Sequence, residues 1–301
     1  MDSKRIAVIG SSNTDMVIKT AKLPAPGETI LGGDFFMNPG GKGANQAVAA
    51  ARLGGKVSLI AKTGDDLFGR QARQNFENDL INCNCLVTDP DHPSGIALIT
   101  VDAHGENCIV VAPGSNGYLG KNDIDQAREE ILRSELILMQ LEIPVETVSY
   151  AANIAANAGI KVILNPAPAA KIPDELLSKL YMITPNETEA ELISGIPVAN
   201  MESARLAAQN LYDRGVKVVV ITLGSQGALL FTGDKDLLVP SPKVKAIDTT
   251  AAGDVFNGAI AVAISEGMDL EQAVEFACKA ASISVTRMGA QSSAPYRKEI
   301  V

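Results

Sequence analysis

Ile6-Ala7-Val8-Ile9 forms an apolar run near the start of the chain, too short for a helix and too continuous for a strand with one wet face. It predicts a strand buried on both sides. From about residue 120 the same signal recurs at Ile137 to Leu141, Lys161 to Leu164, Met182 to Thr184 and Val218 to Thr222. Between these runs the period changes. Val148, Ala151, Ala152 and Ala155 fall at i, i+3, i+4 and i+7, as do Ala204, Ala207, Ala208 and Leu211, so each set lines one face of a helix. Gly159 and Gly215 follow as stops, because glycine accepts the left-handed turn that closes a helix. Strands alternating with helices predict an α/β fold, a mostly parallel sheet with helices on both faces.

The first third reads differently. Thr29 to Met37 is extended, with a break at Gly32-Gly33. Ser94 to Val101 and Cys108 to Val111 flank Asp102-Ala103-His104-Gly105 as the arms of a hairpin. No repeat, low-complexity stretch or obvious linker interrupts the chain. One domain over residues 1–301, carrying a small antiparallel appendage, is the expected organisation.

Composition narrows the class. The chain has 301 residues, 46% hydrophobic and 20% charged, enough to bury a substantial core. A net charge of −9 disfavours nucleic acid or an anionic membrane as partner, since both need clustered cations. No apolar run is long enough to span a bilayer, and MDSKRIAVIG enters the first strand without a signal-peptide core. The four cysteines are too scattered for a disulfide framework; Cys83 and Cys85 lack a second cluster and read as surface thiols. A cytoplasmic location is expected.

Four segments carry candidate chemistry. In Asp248-Thr249-Thr250-Ala251-Ala252-Gly253-Asp254 a helix is expected to begin near Ala252, with Phe256, Ala259, Ile260 and Ala263 on its apolar face. Its small-residue entry leaves first-turn amides bare, and bare amides with the helix dipole bind anions. A carboxylate there would repel the anion unless it holds a hydroxyl about to attack it; the alternative is an ordinary capping Asp. The dipole is expected to favour the ionised form of Asp254. Asn38-Pro39-Gly40-Gly41-Lys42-Gly43-Ala44-Asn45 sets three glycines around a lysine before an alanine-rich helix, and matches neither GxxxxGK[ST] nor GxGxxG. Pro185-Asn186-Glu187-Thr188-Glu189 opens a helix and is either a plain helix start or a place where Asn186 and Glu189 organise hydrated Mg²⁺. Thr222-Leu223-Gly224-Ser225-Gln226-Gly227 is either a glycine-rich hairpin turn or a backbone cradle for a nucleotide.

Together GSSNTD, GGKGANQA, LMQLE, NPAPA, ITPNETEAE, ITLGSQGA, DTTAAGDVFNGA and VTRMGAQSS, spread between residues 10 and 293, resemble the ribokinase-like carbohydrate kinase family. The resemblance implies an αβα core with a β lid drawn from about residues 14–20, 29–38, 95–102 and 107–112. It implies ATP-dependent phosphorylation of D-ribose at its 5-hydroxyl, with Mg²⁺ accompanying ATP, K⁺ as activating cation, and a homodimer in which two lids clasp. Asp254 matches the catalytic base, with Ala252 and Gly253 in the anion hole. Asn13, Asp15, Gly41, Lys42, Asn45 and Glu142 match sugar-binding positions. Asn186, Thr222, Gly224, Ser225, Gly227, Gly253 and Cys278 match nucleotide positions, Cys278 standing where a histidine is expected, and Glu189 completes a magnesium motif. Asp248, Thr250, Ser284, Arg287, Gly289 and Ser293 match a monovalent-cation loop. Rival readings are another kinase of the family (for deoxyribose, fructose or a nucleoside) and a catalytically silent sugar-binding regulator.

Overall fold

A computed structural model describes residues 5–300; Met1 to Lys4, where the chain was expected to start without a leader, and Val301 lie outside the described residues. The apolar runs line up in a nine-stranded sheet. Numbered along the chain, its order is β13 (Asp236–Val239), β12 (Ala228–Phe231), β11 (Val218–Thr222), β10 (Met182–Ile183), β9 (Lys161–Leu164), β8 (Leu136–Met139), β1 (Arg5–Ile9), β4 (Lys56–Gly64) and β5 (Leu86–Asp89). Pairing is parallel from β11 through to β5, and β12 and β13 join antiparallel.

Alternate strand residues serve opposite faces, which is why the runs are continuously apolar. Ile6 and Val8 enter one cluster with side chains of α1 (Lys42–Arg52), α2 (Leu67–Asn78), α9 (Ala252–Ser265) and α10 (Leu270–Ser284). Ala7 and Ile9 enter the other, with α3 (Lys121–Gln126), α4 (Arg128–Leu132), α5 (Val145–Asn157), α6 (Asp174–Leu177), α7 (Glu187–Ser194) and α8 (Met201–Asp213). Both helical stripes read from the sequence are fully buried here, and Gly159 and Gly215 close their helices with φ of 76° and 104°.

A second sheet, in the order β3 (Phe35–Gly40), β2 (Asn13–Lys19), β6 (Gly95–Val101) and β7 (Asn107–Ala112), stands apart from the first. The expected hairpin is present as β6 and β7. The expected strand over 29–38 is not: residues 28–34 form no strand, and β3 starts at Phe35, after the glycine break, and runs through Pro39 to Gly40. Proline is tolerated because β3 is an edge strand. Exposed apolar side chains gather on this sheet, among them Phe35, Met37, Leu98, Ile109, Val110 and Val111. The surface-thiol expectation is also overturned, since Cys83 lies in the apolar cluster and Cys85 is half-buried.

Candidate active site

Residues that follow β1, β8, β9 and β10 bond to the N-terminal halves of α1 and α9, Ser11 and Glu142 to the first turn of α1, Asn165 to Gln46 and Thr184 to Asn257, at the strand ends where ligands collect in open parallel sheets. The chain enters α1 through Gly41, whose φ of 88° favours glycine and whose added Cβ would sit 2.6 Å from the Asn13 amide. A Cβ on Gly40 would lie 2.4 Å from the Asp15 carboxylate oxygens, so that close approach requires glycine. Glu142 Oε2 accepts from the Lys42 amide (2.9 Å) and the Ser11 hydroxyl (2.5 Å), placing an anion at the positive end of α1. Asn13 Oδ1 accepts from Asn116 Nδ2 at 2.8 Å.

The entry to α9 has the form its sequence predicts. Its N-cap Ala251 is left-handed (φ 57°) and offers no side-chain cap, and Gly253 is exposed with open space where a Cβ would be. Among the described residues, no acceptor is hydrogen-bonded to the Gly253 or Asp254 amide. Asp254 itself is no capping residue. It is buried, taking Asn45 Nδ2 on Oδ2 and Gln46 Nε2 on Oδ1, each at 2.9 Å.

The electrostatics correct one expectation. The helix terminus was expected to favour the charged form of Asp254, yet its pKa is raised: burial dominates, aided by Glu142 and opposed by Lys42, Asn45 and Gln46. Burial also raises Asp15, with the Glu142 and Asp254 charges, to about 6 despite Lys42. For Lys42, burial pulls downward, but Asp254, Glu142, Glu189 and Asp15 together outweigh it and hold the ammonium above its ordinary value. One cation thus faces several carboxylates in a largely desolvated pocket, an arrangement poised for a polyol and a further cation or proton.

Glu189 and Asn186 form a reciprocal cap at the start of α7, Asn186 Oδ1 accepting from the Glu189 amide (2.8 Å) and Glu189 Oε2 from the Asn186 amide (2.9 Å). Burial raises the Glu189 pKa, against its Asn186 bond and Lys42. Asn186 bridges to Thr222, and Gly224–Gln226 form one 3₁₀ turn between β11 and β12, ended by Gly227 at φ 110°. Ser225 is exposed on that turn. Cys278 lies on α10 within the apolar cluster, its thiol pushed up to about 12 by burial and by Glu275.

Asp248 ties two loops together: Oδ1 accepts from the Thr250 amide (2.9 Å) and Oδ2 from the Gly289 amide (2.8 Å). Burial alone would raise its pKa, but these bonds, with the Thr250 side chain, hold it below the usual carboxylate value. Ser284 and Ser293 turn their hydroxyls to the Ala281 and Ala290 carbonyls, and Arg287 pairs with Glu299.

Gln46, Asn116, Thr184 and Asn257 were not read from the sequence as site residues. Gln46 carried a signal: with Asn45 it makes the polar pair in an otherwise small or apolar buried stretch of α1. Asn116 and Asn257 join the site only through contacts across the fold.

A buried carboxylate at a bare helix mouth, with Lys42 and the further carboxylates Asp15, Glu142 and Glu189 within electrostatic reach, is the arrangement a phosphotransferase-type small-molecule kinase site requires. The profile of the pfkB family of carbohydrate kinases matches residues 3–297, and the chain belongs to that family. It is 45% identical over 296 residues to a ribokinase of Haemophilus influenzae (98% of this chain, 97% of that one). It is also 42% identical over 291 residues to a deoxyribokinase of Salmonella typhi (96% and 95%). An Arabidopsis thaliana ribokinase solved with ribose and ATP superposes with a TM-score of 0.92 at 31% identity, covering 99% of this chain and 97% of that one.

Proposed function

We propose that the protein transfers the γ-phosphoryl group of ATP to the 5-hydroxyl of D-ribose. The observation that carries this reading is buried Asp254 standing beside the uncapped amides of α9. The Gly253 and Asp254 amides, with Ala252 at the mouth, receive the γ-phosphate. One such donor aimed at developing charge contributes about 3 kcal/mol. Asp254 takes the hydroxyl proton as the new P–O bond forms and the bond to ADP breaks. Its raised pKa makes it a better base than a surface aspartate.

Asn13, Asp15, Gly41, Lys42, Asn45 and Glu142 hold the sugar. Asn45 supports this directly: its Nδ2 is spent on Asp254, while its buried Oδ1 lacks a hydrogen-bond partner and can accept from a sugar hydroxyl. Asn186, the Thr222–Gly227 turn and the face of α10 near Cys278 receive the nucleotide. Glu189 keeps one oxygen outside its cap and would hold Mg²⁺ through water; the metal supplies charge neutralisation on the phosphates. Asp248 and the carbonyls of the Thr250, Ser284, Arg287, Gly289 and Ser293 segment would hold K⁺, stiffening the turn that leads to Gly253. The second sheet acts as a lid over the sugar, on one kinase domain spanning the chain. Its exposed apolar residues and free β3 and β7 edges fit a homodimer clasped lid to lid. Among the described residues no helix is long and apolar enough to cross a membrane, and we place the reaction in the cytoplasm.

A coupled ADP-release assay over ribose, 2-deoxyribose, fructose and adenosine tests the substrate, with ribose expected to give the highest kcat/KM. The 42% identity to a deoxyribokinase makes 2-deoxyribose the second reading, and a higher kcat/KM for it would replace the first. Run in potassium and then tetramethylammonium salts, the same assay is expected to be slower in the second; equal rates would remove the cation. Sedimentation equilibrium is expected to give a dimer for the native chain and a monomer for Val110→Asp, and a native monomer would refute the clasp.

A further inference from the structure

We infer that Gln46 is a positioning residue of the phosphoryl-transfer site: its side-chain amide aims and holds the Asp254 carboxylate, and Asn165 fixes which way that amide points. The inference rests on the reading of Asp254 as the base.

Gln46 is fully buried. Its Nε2 donates to Asp254 Oδ1 at 2.9 Å and to Asn165 Oδ1 at 3.0 Å, and its Oε1 accepts from Gln140 Nε2 at 2.6 Å. The direction of this chain is set by a backbone group. Asn165 Nδ2 donates to the Thr184 carbonyl (3.2 Å), which can only accept, so Asn165 presents its oxygen to Gln46. Gln46 must then present its NH₂ to both acceptors; turned over, it would set Oε1 against two oxygens. The network also closes on the same helical turn from the other side. Thr184 Oγ1 donates to Asn257 Oδ1 (2.6 Å), and Asn257 Nδ2 donates to the Gly253 carbonyl (2.8 Å). The side chain of Asp254 and the backbone of its neighbour are therefore both tied to the ends of β9 and β10.

Packing alone does not ask for glutamine here, since α1 buries mostly alanine and valine around it. The amide has an electrostatic task. Burial, with Glu142, works against a charged Asp254; Asp15 and Glu189 also face it across the pocket, and Lys42, Asn45 and Gln46 work for the charge. Removing one donor from a desolvated carboxylate leaves the other groups in place, so a variant isolates the share of Gln46.

The test is the single-turnover rate of phosphoryl transfer from pH 5 to 10 for the native enzyme and Gln46→Met. The acid limb is expected to move up by about one to two pH units, the strength of a hydrogen bond to a charged group expressed as a pKa change. KM for sugar and for ATP are expected to stay within about threefold, because Gln46 acts through Asp254. Ionisation of ATP is common to both enzymes and cancels. Should Gln46→Met fail to fold, Gln46→Glu keeps the shape, sets an acid beside Asp254 and is expected to move the limb at least as far. Asn165→Ala, which frees the amide to turn, is expected to move it in the same direction by less. An acid limb in its native place in the folded variants overturns the inference, whatever happens to the rate. Asp254→Asn in parallel separates the two readings: its inactivity beside an unmoved limb overturns only the role of Gln46, whereas near-native turnover in it overturns the base.

Discussion

Asp254→Asn is expected to lower kcat by ~10²–10⁴ while sugar affinity, measured by calorimetry, falls far less. Two losses combine. The amide cannot accept the 5-hydroxyl proton, and the negative charge that orients that hydroxyl disappears from a pocket where little water screens it. The geometry adds a third. Asn45 and Gln46 each point an NH₂ at the carboxylate, so an asparagine there must turn its own NH₂ toward one of these donors. Sugar binding survives because Asp15, Lys42, Asn45 and the start of α1 do not depend on Asp254 for their backbone placement. Turnover near the native rate would reject the assignment of Asp254 as base; an equal collapse of sugar affinity would instead make it a binding residue.

Legibility differed with the range of the forces involved. The stripes of α5 and α8, the parallel runs and the bare mouth of α9 were readable because each is written in residues a few positions apart. β4 escaped because Lys56, Ser58, Lys62 and Thr63 interrupt its apolar pattern, although Ser58 and Thr63 are buried. β3 was misplaced because a run of extended residues does not say where pairing begins; the partner strand decides. The direction in which the Asp254 pKa moves was misjudged for a related reason. The dipole of its own helix is local and visible in the sequence, whereas the burial that outweighs it is made by packing against segments such as α1, whose Asn45 and Gln46 touch Asp254 from more than 200 residues away in the chain. Asn116 and Asn257 were hidden in the same way, since their partners Asn13 and Thr184 lie 103 and 73 residues away.

Asp15 supplies the second large effect, and its sign follows from its titration near pH 6. As a carboxylate it accepts from sugar hydroxyls; protonated, it loses that capacity. The KM for ribose is therefore expected to rise as pH falls through 6, reaching about tenfold one unit below, while the KM for ATP stays level. Asp15→Asn should hold a high ribose KM, ~10–100-fold above native at pH 7.5, and should lose the pH dependence. Stability moves the other way. An acid whose folded pKa lies above its unfolded value of 3.8 contributes most below that value and loses the contribution as pH rises through about 6. At pH 7.5 the native fold thus holds a carboxylate it would rather see protonated, and Asp15→Asn should melt no lower than native, the difference closing toward pH 4. Binding of a hydroxyl donor relieves that cost, so ribose should raise the native melting temperature at pH 7.5 much more than that of the variant. A ribose KM flat from pH 5 to 7.5 in the native enzyme would mean that Asp15 does not accept from the sugar, and that its closeness to Gly40 serves only the turn into α1.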